Sequence, residues 1–428
     1  MDDPQVLDRM RADWNRRAEE DANYYVAFGR RQQDEAEFFA TGADVMRNLE
    51  LEMKRCAARD AALEIGCGPG RLMRPISRHF REVHGVDVSD EMIRLARERL
   101  RDTPNAFPLH GTGSDLAQFG DDTFDFVYSY AVFQHIPSRE VVFGYLREAW
   151  RVLKPGGILR CQLNGLPAHA RQYDTWSGVR IAPDEVREFA REQQFQLLAL
   201  EQIWTQYMWV TCRKRGGEPA APWAGVPAIH NASNALTGDA AAPNAGGLAA
   251  FCLWVESLPD ACDLNNTTLT ADGRPCRLIY IGAAGANGVA QTTAELPEGL
   301  RSGLVPIEIF FEGRPICPPF WMRIIPSGPL VPRLTAVSDG VNLLSGNRIV
   351  TGLVKVAMEE VTDATAFRAT VDGLDVLEID SFCTDPVMQR WEFNFRLPAV
   401  APGPHVVSIA LGRRLVATVP IEVARGDA

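Results

Sequence analysis

The stretch at 62–70, ALEIGCGPG, constrains this chain more than any other. An apolar run ends in an acid, Glu64, and turns through Gly66, Gly68 and Gly70 before Arg71 and a helix-prone run. The pattern predicts a strand, a tight glycine turn and the start of a helix. Glycines at such a turn admit positive φ and let the backbone approach a ligand closely. Free N–H groups at the helix start favour an electron-rich or anionic group. A turn of this kind can cradle several ligands, so its surroundings decide between them.

Those surroundings alternate strand and helix. RLMRPISRHF reads as a helix, and EVHGVDVS as a strand ending in Asp87. DEMIRLARERLR at 90–101 is an amphipathic helix with Ser89 or Asp90 as its cap. PLHGTG is a short strand and turn, and DTFDFVYSYAVFQHI a strand running into a loop. A helix over 138–153 closes at a turn, Lys154-Pro155-Gly156-Gly157, before the strand ILRCQLNG. This order means a parallel, doubly wound sheet. Ligands then bind beyond the carboxyl ends of the strands, where 66–70, Asp87, 112–115 and 130–135 converge. A helix at 183–194 and strands at 196–204 and 206–213 follow, the strands forming an antiparallel hairpin that closes the sheet edge.

Residues 1–55 read as a helical cap, with Val6, Met10, Trp14 and Ala18 at helical spacing. They pack on the doubly wound domain of 56–215, or serve as a lid with Trp14, Tyr24 or Tyr25 lining a pocket. Residues 216–246, rich in Ala, Pro, Gly and Asn, read as a linker. Beyond 247 the texture is all-β. Thr270-Ala271-Asp272-Gly273 recurs as Thr370-Val371-Asp372-Gly373, and Leu296-Pro297 with Gly303 recurs as Leu397-Pro398 with Gly403. The period suits two tandem immunoglobulin-like β-sandwiches, at 247–331 and 332–428.

Charge and composition narrow the partners. The chain has 428 residues and a net charge of −11, which disfavours nucleic acid and anionic membrane. No apolar run is long enough to span a bilayer. The acidic start MDDPQVLDRM is not a signal peptide, which points to a cytoplasmic protein. The nine cysteines include no CxxC pair, so no metal site is expected and the thiols stay reduced.

A dinucleotide fingerprint wants G-x-G-x-x-G. Here the third glycine comes one residue early, and Arg71 stands in its place. Asp87 lies where a carboxylate can accept hydrogen bonds from both ribose hydroxyls of a nucleoside, at roughly 1.5–3 kcal/mol each. With ALEIGCGPG, GVDVS, FDFVYSYAVFQHI and RVLKPGGIL in order, residues 60–163 resemble a class I S-adenosylmethionine-dependent methyltransferase. The resemblance implies a Rossmann-like fold and S-adenosyl-L-methionine as cofactor. It sets Glu64, Gly66, Cys67, Gly68 and Gly70 around the aminoacyl part, Asp87 on the ribose, and Val88 and Met92 beside the adenine. Many members carry an Asp-Ala pair after the third strand. Here Thr112, Gly113 and Ser114 occupy that region, with Asp115 or a backbone amide left to contact the adenine. Tyr130 and Gln134 face the methionine part and the acceptor, and Tyr25 of the cap completes the cofactor set.

A sulfonium methyl is already electrophilic, so transfer mostly needs an aligned acceptor, worth about 7–11 kcal/mol. A hydroxyl acceptor also needs a base, and His135 is the candidate. His169, Tyr173, Asp174 and Trp176, in the loop after the fifth strand, are the candidate acceptor residues. The expected activity is O-methylation of a small molecule or glycan. The alternatives are N-methylation of a small amine, or a non-catalytic cofactor-binding scaffold acting through the sandwiches. The sandwiches suggest homo-oligomerisation or substrate presentation.

Overall fold

A computed structural model describes residues 4–27, 31–168, 172–216, 225–385 and 389–424. The chain divides into two compact units, 1–16 with 42–328, and 17–41 with 329–428. The first contains the doubly wound sheet. Its strands β1 (Ala61–Ile65), β2 (Glu82–Asp87), β3 (Ala106–His110), β4 (Phe124–Ser129) and β5 (Leu153–Leu163) lie parallel in the order β3-β2-β1-β4-β5. Every residue of β1 and β4 is buried, the pattern of central strands covered on both faces. Asp125 clamps the start of this sheet. It accepts the amides of Asp60 and Ala61 at 2.9 and 3.0 Å and pairs with Lys154 at 2.9 Å.

The helices in chain order are α1 (Pro4–Ala27), α2 (Glu35–Ala40), α3 (Gly42–Met53), α4 (Met73–Ile76), α5 (Asp90–Arg99), α6 (Arg139–Val152) and α7 (Pro183–Glu192). Ser89 caps α5 by accepting the Met92 amide at 3.1 Å, and Ser138 caps α6 through Val141 at 3.3 Å. The predicted cap of 1–55 is not one body. α1 loses helical geometry at Asp21, and residues 17–41 belong to the second unit. The helix expected over RLMRPISRHF is a single turn, α4. Pro75 contributes no donor there, and the Ser77 hydroxyl folds back onto the Arg74 carbonyl at 2.8 Å. The segment 154–157 is a bulge within β5 rather than a turn. Phe124 pairs with Leu153, yet Phe126 pairs with Ile158.

The hairpin β6 (Phe195–Glu201) and β7 (Met208–Lys214) does not end the sheet. β7 pairs with β5, and β6 continues to the strand Arg277–Ile281 through Ala199 and Tyr280. Among the described residues the result is one eleven-stranded sheet. Its far end is a four-stranded layer ordered Arg277–Ile281, Val289–Glu295, Ala250–Glu256, Ala228–Asn234. Facing strands Arg274–Pro275, Thr267–Ala271, Gly303–Phe311, Phe320–Ile325 and Ala241–Pro243 complete a sandwich. Two of these strands lie in the stretch read as linker. Their Ala-, Asn- and Ser-rich sequences carry no legible β pattern.

The second unit repeats this topology. Leu377–Asp385, Arg390–Arg396, Leu353–Glu359 and Arg333–Asp339 form one layer. Leu374–Asp375, Phe367–Val371, Gly403–Leu411, Arg414–Val423 and Arg348–Ile349 form the other. The register repeats as well: Thr267 pairs with Phe311 as Phe367 pairs with Leu411, and Ala271 with Ile307 as Val371 with Val407. Among the described residues no helix is long and apolar enough to cross a membrane.

Candidate cofactor and acceptor site

The glycine turn after β1 is tied to its neighbour strand. The amides of Gly66 and Cys67 donate to the Val86 carbonyl at 2.8 and 3.0 Å, and the Gly68 amide donates to Asp87 Oδ2 at 2.9 Å. Gly66 sits at φ +74°, where an added Cβ would lie 2.4 Å from Val132 Cγ2 in the loop after β4. Three strand ends therefore meet at this residue. Beside Gly70 the space is filled by Leu100 at the end of α5, 2.7 Å from where a Cβ would stand. Cys67 packs its side chain into the core, and burial pushes its thiol well up. The amides of Gly66, Cys67 and Gly68 are thus engaged by β2 rather than free.

Two acids flank the turn. Glu64 is 3% exposed and accepts the Tyr128 hydroxyl at 2.9 Å. Burial pushes its carboxyl up to about 8, against the opposing pull of that hydrogen bond and of Arg71. Asp87 accepts the Gly68 amide on one oxygen and the Ser89 amide, at 2.9 Å, on the other. Burial still holds its carboxyl above the ordinary range. Carboxylate oxygens each have further acceptor capacity, so Asp87 can receive hydroxyl donors while keeping both amides.

On the third side, Gly113 packs against Val88, with an added Cβ only 2.9 Å from Val88 Cγ2. Thr112 Oγ1 accepts the amides of Ser114 and Asp115 at 3.3 and 3.1 Å, and the Asp115 carboxylate accepts the Ala117 amide at 3.1 Å. Asp115 is therefore engaged within its own turn. Met92 is buried in the first turn of α5.

The loops after β4 and β5 form the remaining wall. The Arg71 guanidinium lies 5.4 Å from the Tyr130 ring, and Trp209 is 5.9 Å from that ring on centroids. Gln134 is buried, and its Oε1 has no hydrogen-bond partner among the described residues. His135 is also buried, set edge-on to Trp14 at 5.4 Å and tilted towards Trp176 at 6.2 Å. The loop after β5 is pinned here: the Gly178 and Val179 amides donate to the carbonyls of Gln134 and Ile136 at 2.8 and 2.9 Å. Asp174 accepts the amides of Trp176 and Ser177 at 2.8 and 2.7 Å, so it shapes this loop. Tyr173 packs partly buried against the core, whereas Trp176 is 51% exposed. His169 lies outside the described residues. Tyr25 belongs to the second unit, where its hydroxyl donates to Glu20 at 2.8 Å.

Further residues join the site that the sequence patterns did not single out. Asn15 Oδ1 accepts the Ser89 hydroxyl at 2.7 Å, Arg11 pairs with Asp90 at 2.7 Å, and Asp13 accepts the Thr175 hydroxyl at 2.6 Å. The first half of α1 thus links the β2–α5 turn to the loop after β5. Arg180 of that loop donates to Asn164 Oδ1 at 2.7 Å, just past β5. Partners this distant in sequence leave no local signal. The polar Asp13 and Asn15 flanking Trp14 were the one available hint.

Residues 63–161 match the methyltransferase domain family. The chain is 35% identical over 105 residues to phosphoethanolamine N-methyltransferase 2 of Caenorhabditis elegans, covering 24% of this chain and 23% of that protein. It is 32% identical over 113 residues to demethylmenaquinone methyltransferase of Tropheryma whipplei, covering 26% of this chain and 45% of that protein. The chain thus spans less than half the length of these curated relatives. Among solved structures, phosphoethanolamine N-methyltransferase 1 of Haemonchus contortus, in complex with phosphoethanolamine and S-adenosylhomocysteine, aligns at 16% identity. That alignment has a TM-score of 0.36 and covers 52% of each chain.

The domain match implies S-adenosylmethionine, and the residues present fit it. That molecule carries two cationic groups and a ribose. Glu64, Asp87 and the unpaired Gln134 Oε1 are acceptors suited to both.

Proposed function

We propose that the protein is an S-adenosylmethionine-dependent methyltransferase acting on a small molecule. The observation that carries this is Asp87 locked onto the Gly68 amide, inside a segment matching the methyltransferase domain. Asp87 binds the ribose hydroxyls. The backbone at 66–68 lies along the aminoacyl part, with Glu64 and Gln134 towards its cationic groups. Val88, Met92 and 112–114 enclose the adenine.

When bound, the cofactor supplies an electrophilic methyl group. The chain aligns the acceptor against it and keeps water out. The methyl would pass to the acceptor heteroatom as its bond to the sulfonium sulfur breaks, and the one proton the acceptor then gives up falls to this chain to receive. His135 takes that proton from a hydroxyl acceptor, which makes O-methylation the favoured reaction. Trp14 and Trp176 hold its ring and narrow the approach, and Tyr173 extends the same wall.

A second reading, N-methylation of an amine, is supported by the aromatic faces of Trp14 and Trp176, which suit a cationic acceptor, and by the name of the C. elegans relative.

Calorimetric titration with S-adenosylmethionine tests the cofactor claim, and absence of binding sinks it. Labelled-methyl transfer to panels of hydroxyl and amine acceptors then separates the two reactions. His135→Ala should abolish transfer to hydroxyls while leaving S-adenosylhomocysteine affinity intact. Unimpaired O-methylation in that variant removes the base from the scheme.

A further inference from the structure

We infer that the methyl acceptor carries an oxyanion, a carboxylate or a phosphate, and that Arg180 binds it. This rests on the methyltransferase reading and adds a substrate class to it.

Arg180 follows the stretch of the β5–α7 loop that is pinned to the loop after β4 by the Gly178 and Val179 amides. Its guanidinium reaches to the carboxyl end of β5, where it donates to Asn164 Oδ1 at 2.7 Å, and it also donates to Ser177 Oγ at 3.3 Å. Both acceptors are neutral. Its Nε is buried and, among the described residues, has no hydrogen-bond partner. Among the described residues no carboxylate pairs with it.

This contrasts with the neighbouring cations. Arg139, whose guanidinium donates to the Arg180 carbonyl, is paired with Glu185, and Arg160 in β5 is paired with Glu201. Arg180 is half-buried, and burial holds its guanidinium below the ordinary range with only the Tyr173 hydroxyl set against that. A partly buried cation held by neutral groups alone is costly to keep unless an anion completes it. A guanidinium offers five donors in a planar fork matched to two oxygens of a carboxylate or phosphate. Two of its nitrogens are already fixed by Asn164 and Ser177, so the fork is oriented in advance. The loop that holds Arg180 also carries Tyr173 and Trp176, so the anion would anchor the acceptor beside His135.

The test uses the full chain saturated with S-adenosylhomocysteine and titrated calorimetrically with inorganic phosphate and, separately, with acetate. Binding of either anion is expected. It should weaken at least about tenfold in Arg180→Gln, the loss of a charge-assisted hydrogen bond, and stay unchanged in the exposed control Arg101→Gln. Arg180→Lys keeps the charge but not the fork, and should weaken phosphate binding to a lesser degree. It serves if the glutamine variant does not fold. The arm that binds tells phosphate from carboxylate. No binding of either anion by the wild type, or undiminished wild-type affinity in both Arg180 variants, overturns the inference. A chain that binds these anions but not S-adenosylhomocysteine instead overturns the methyltransferase reading and leaves the anion site standing.

Discussion

Replacing Glu64 by glutamine should change how stability depends on pH. In an unfolded chain a glutamate titrates near about 4.3, whereas burial pushes Glu64 up to about 8 in the fold. Between those values the folded protein holds a proton that the unfolded chain has lost. Stability from this group is therefore complete below the unfolded value and disappears as pH rises through the folded one, at about 1.4 kcal/mol per pH unit. The first unit has about 300 residues, and an unfolding entropy of about 2.1 cal/mol/K per residue converts this to about 2 °C per pH unit. Glutamine keeps an acceptor for the Tyr128 hydroxyl and does not titrate. Thermal unfolding of the unliganded wild type and E64Q, scanned from about pH 5 to about pH 9, reads the difference. The wild type should lose several degrees relative to the variant across that window, then level off. Parallel curves would refute the assignment. Saturation with S-adenosylmethionine should flatten the wild-type slope, since a cation facing Glu64 favours its charged form.

Other perturbations probe the rest of the site. Gly66→Ala forces a Cβ to 2.4 Å from Val132 at a positive φ; a loss of about 2 kcal/mol or more in stability and of cofactor binding is expected, by thermal unfolding and calorimetry. Asp87→Ala removes the acceptor for the Gly68 and Ser89 amides and should weaken S-adenosylhomocysteine binding at least about tenfold, while unchanged affinity argues against the ribose role. Asp13→Ala and Thr175→Val, combined in a double-mutant cycle of denaturant unfolding, should reveal a coupling of about 1.5 kcal/mol for their 2.6 Å hydrogen bond; strictly additive effects would show that α1 is not held to the acceptor loop.

The doubly wound core was legible because its signals are local. Continuous apolar strands, the Ser89 and Ser138 caps and the glycine turn each lie within a few residues, and the repeat of 270–273 at 370–373 exposed the duplicated sandwich. What was not legible depends on distant partners. The packing of Leu100 beside Gly70 leaves no mark near either residue. The amides that Asp174 accepts from Trp176 and Ser177 likewise do not show in the order of motifs. Arg180 gave no signal because a missing counter-charge is visible only in space. The strands at Ala228–Asn234 and Ala241–Pro243 hid in linker-like composition, because sheet pairing overrode weak propensity.

The joint between β6 and Arg277–Ile281 puts the doubly wound half and the first sandwich into one sheet and one compact unit. More than a single strand contact holds them. The Leu264 amide donates to the Leu197 carbonyl at 2.8 Å, Gln196 donates to the carbonyls of Asp260 and Cys262, and Arg55 of the α3 end reaches the Ile281 carbonyl. A chain shortened to end before Ala228 would strip these partners and leave β6 as a bare, apolar edge, a template for self-association. Among the described residues the matching strand in the second sandwich, Leu377–Asp385, pairs only with Arg390–Arg396 and is broken by two register shifts. One duplicated scaffold has thus put the same border to opposite uses: in one copy it is a weld, and in the other it is a margin finished against joining.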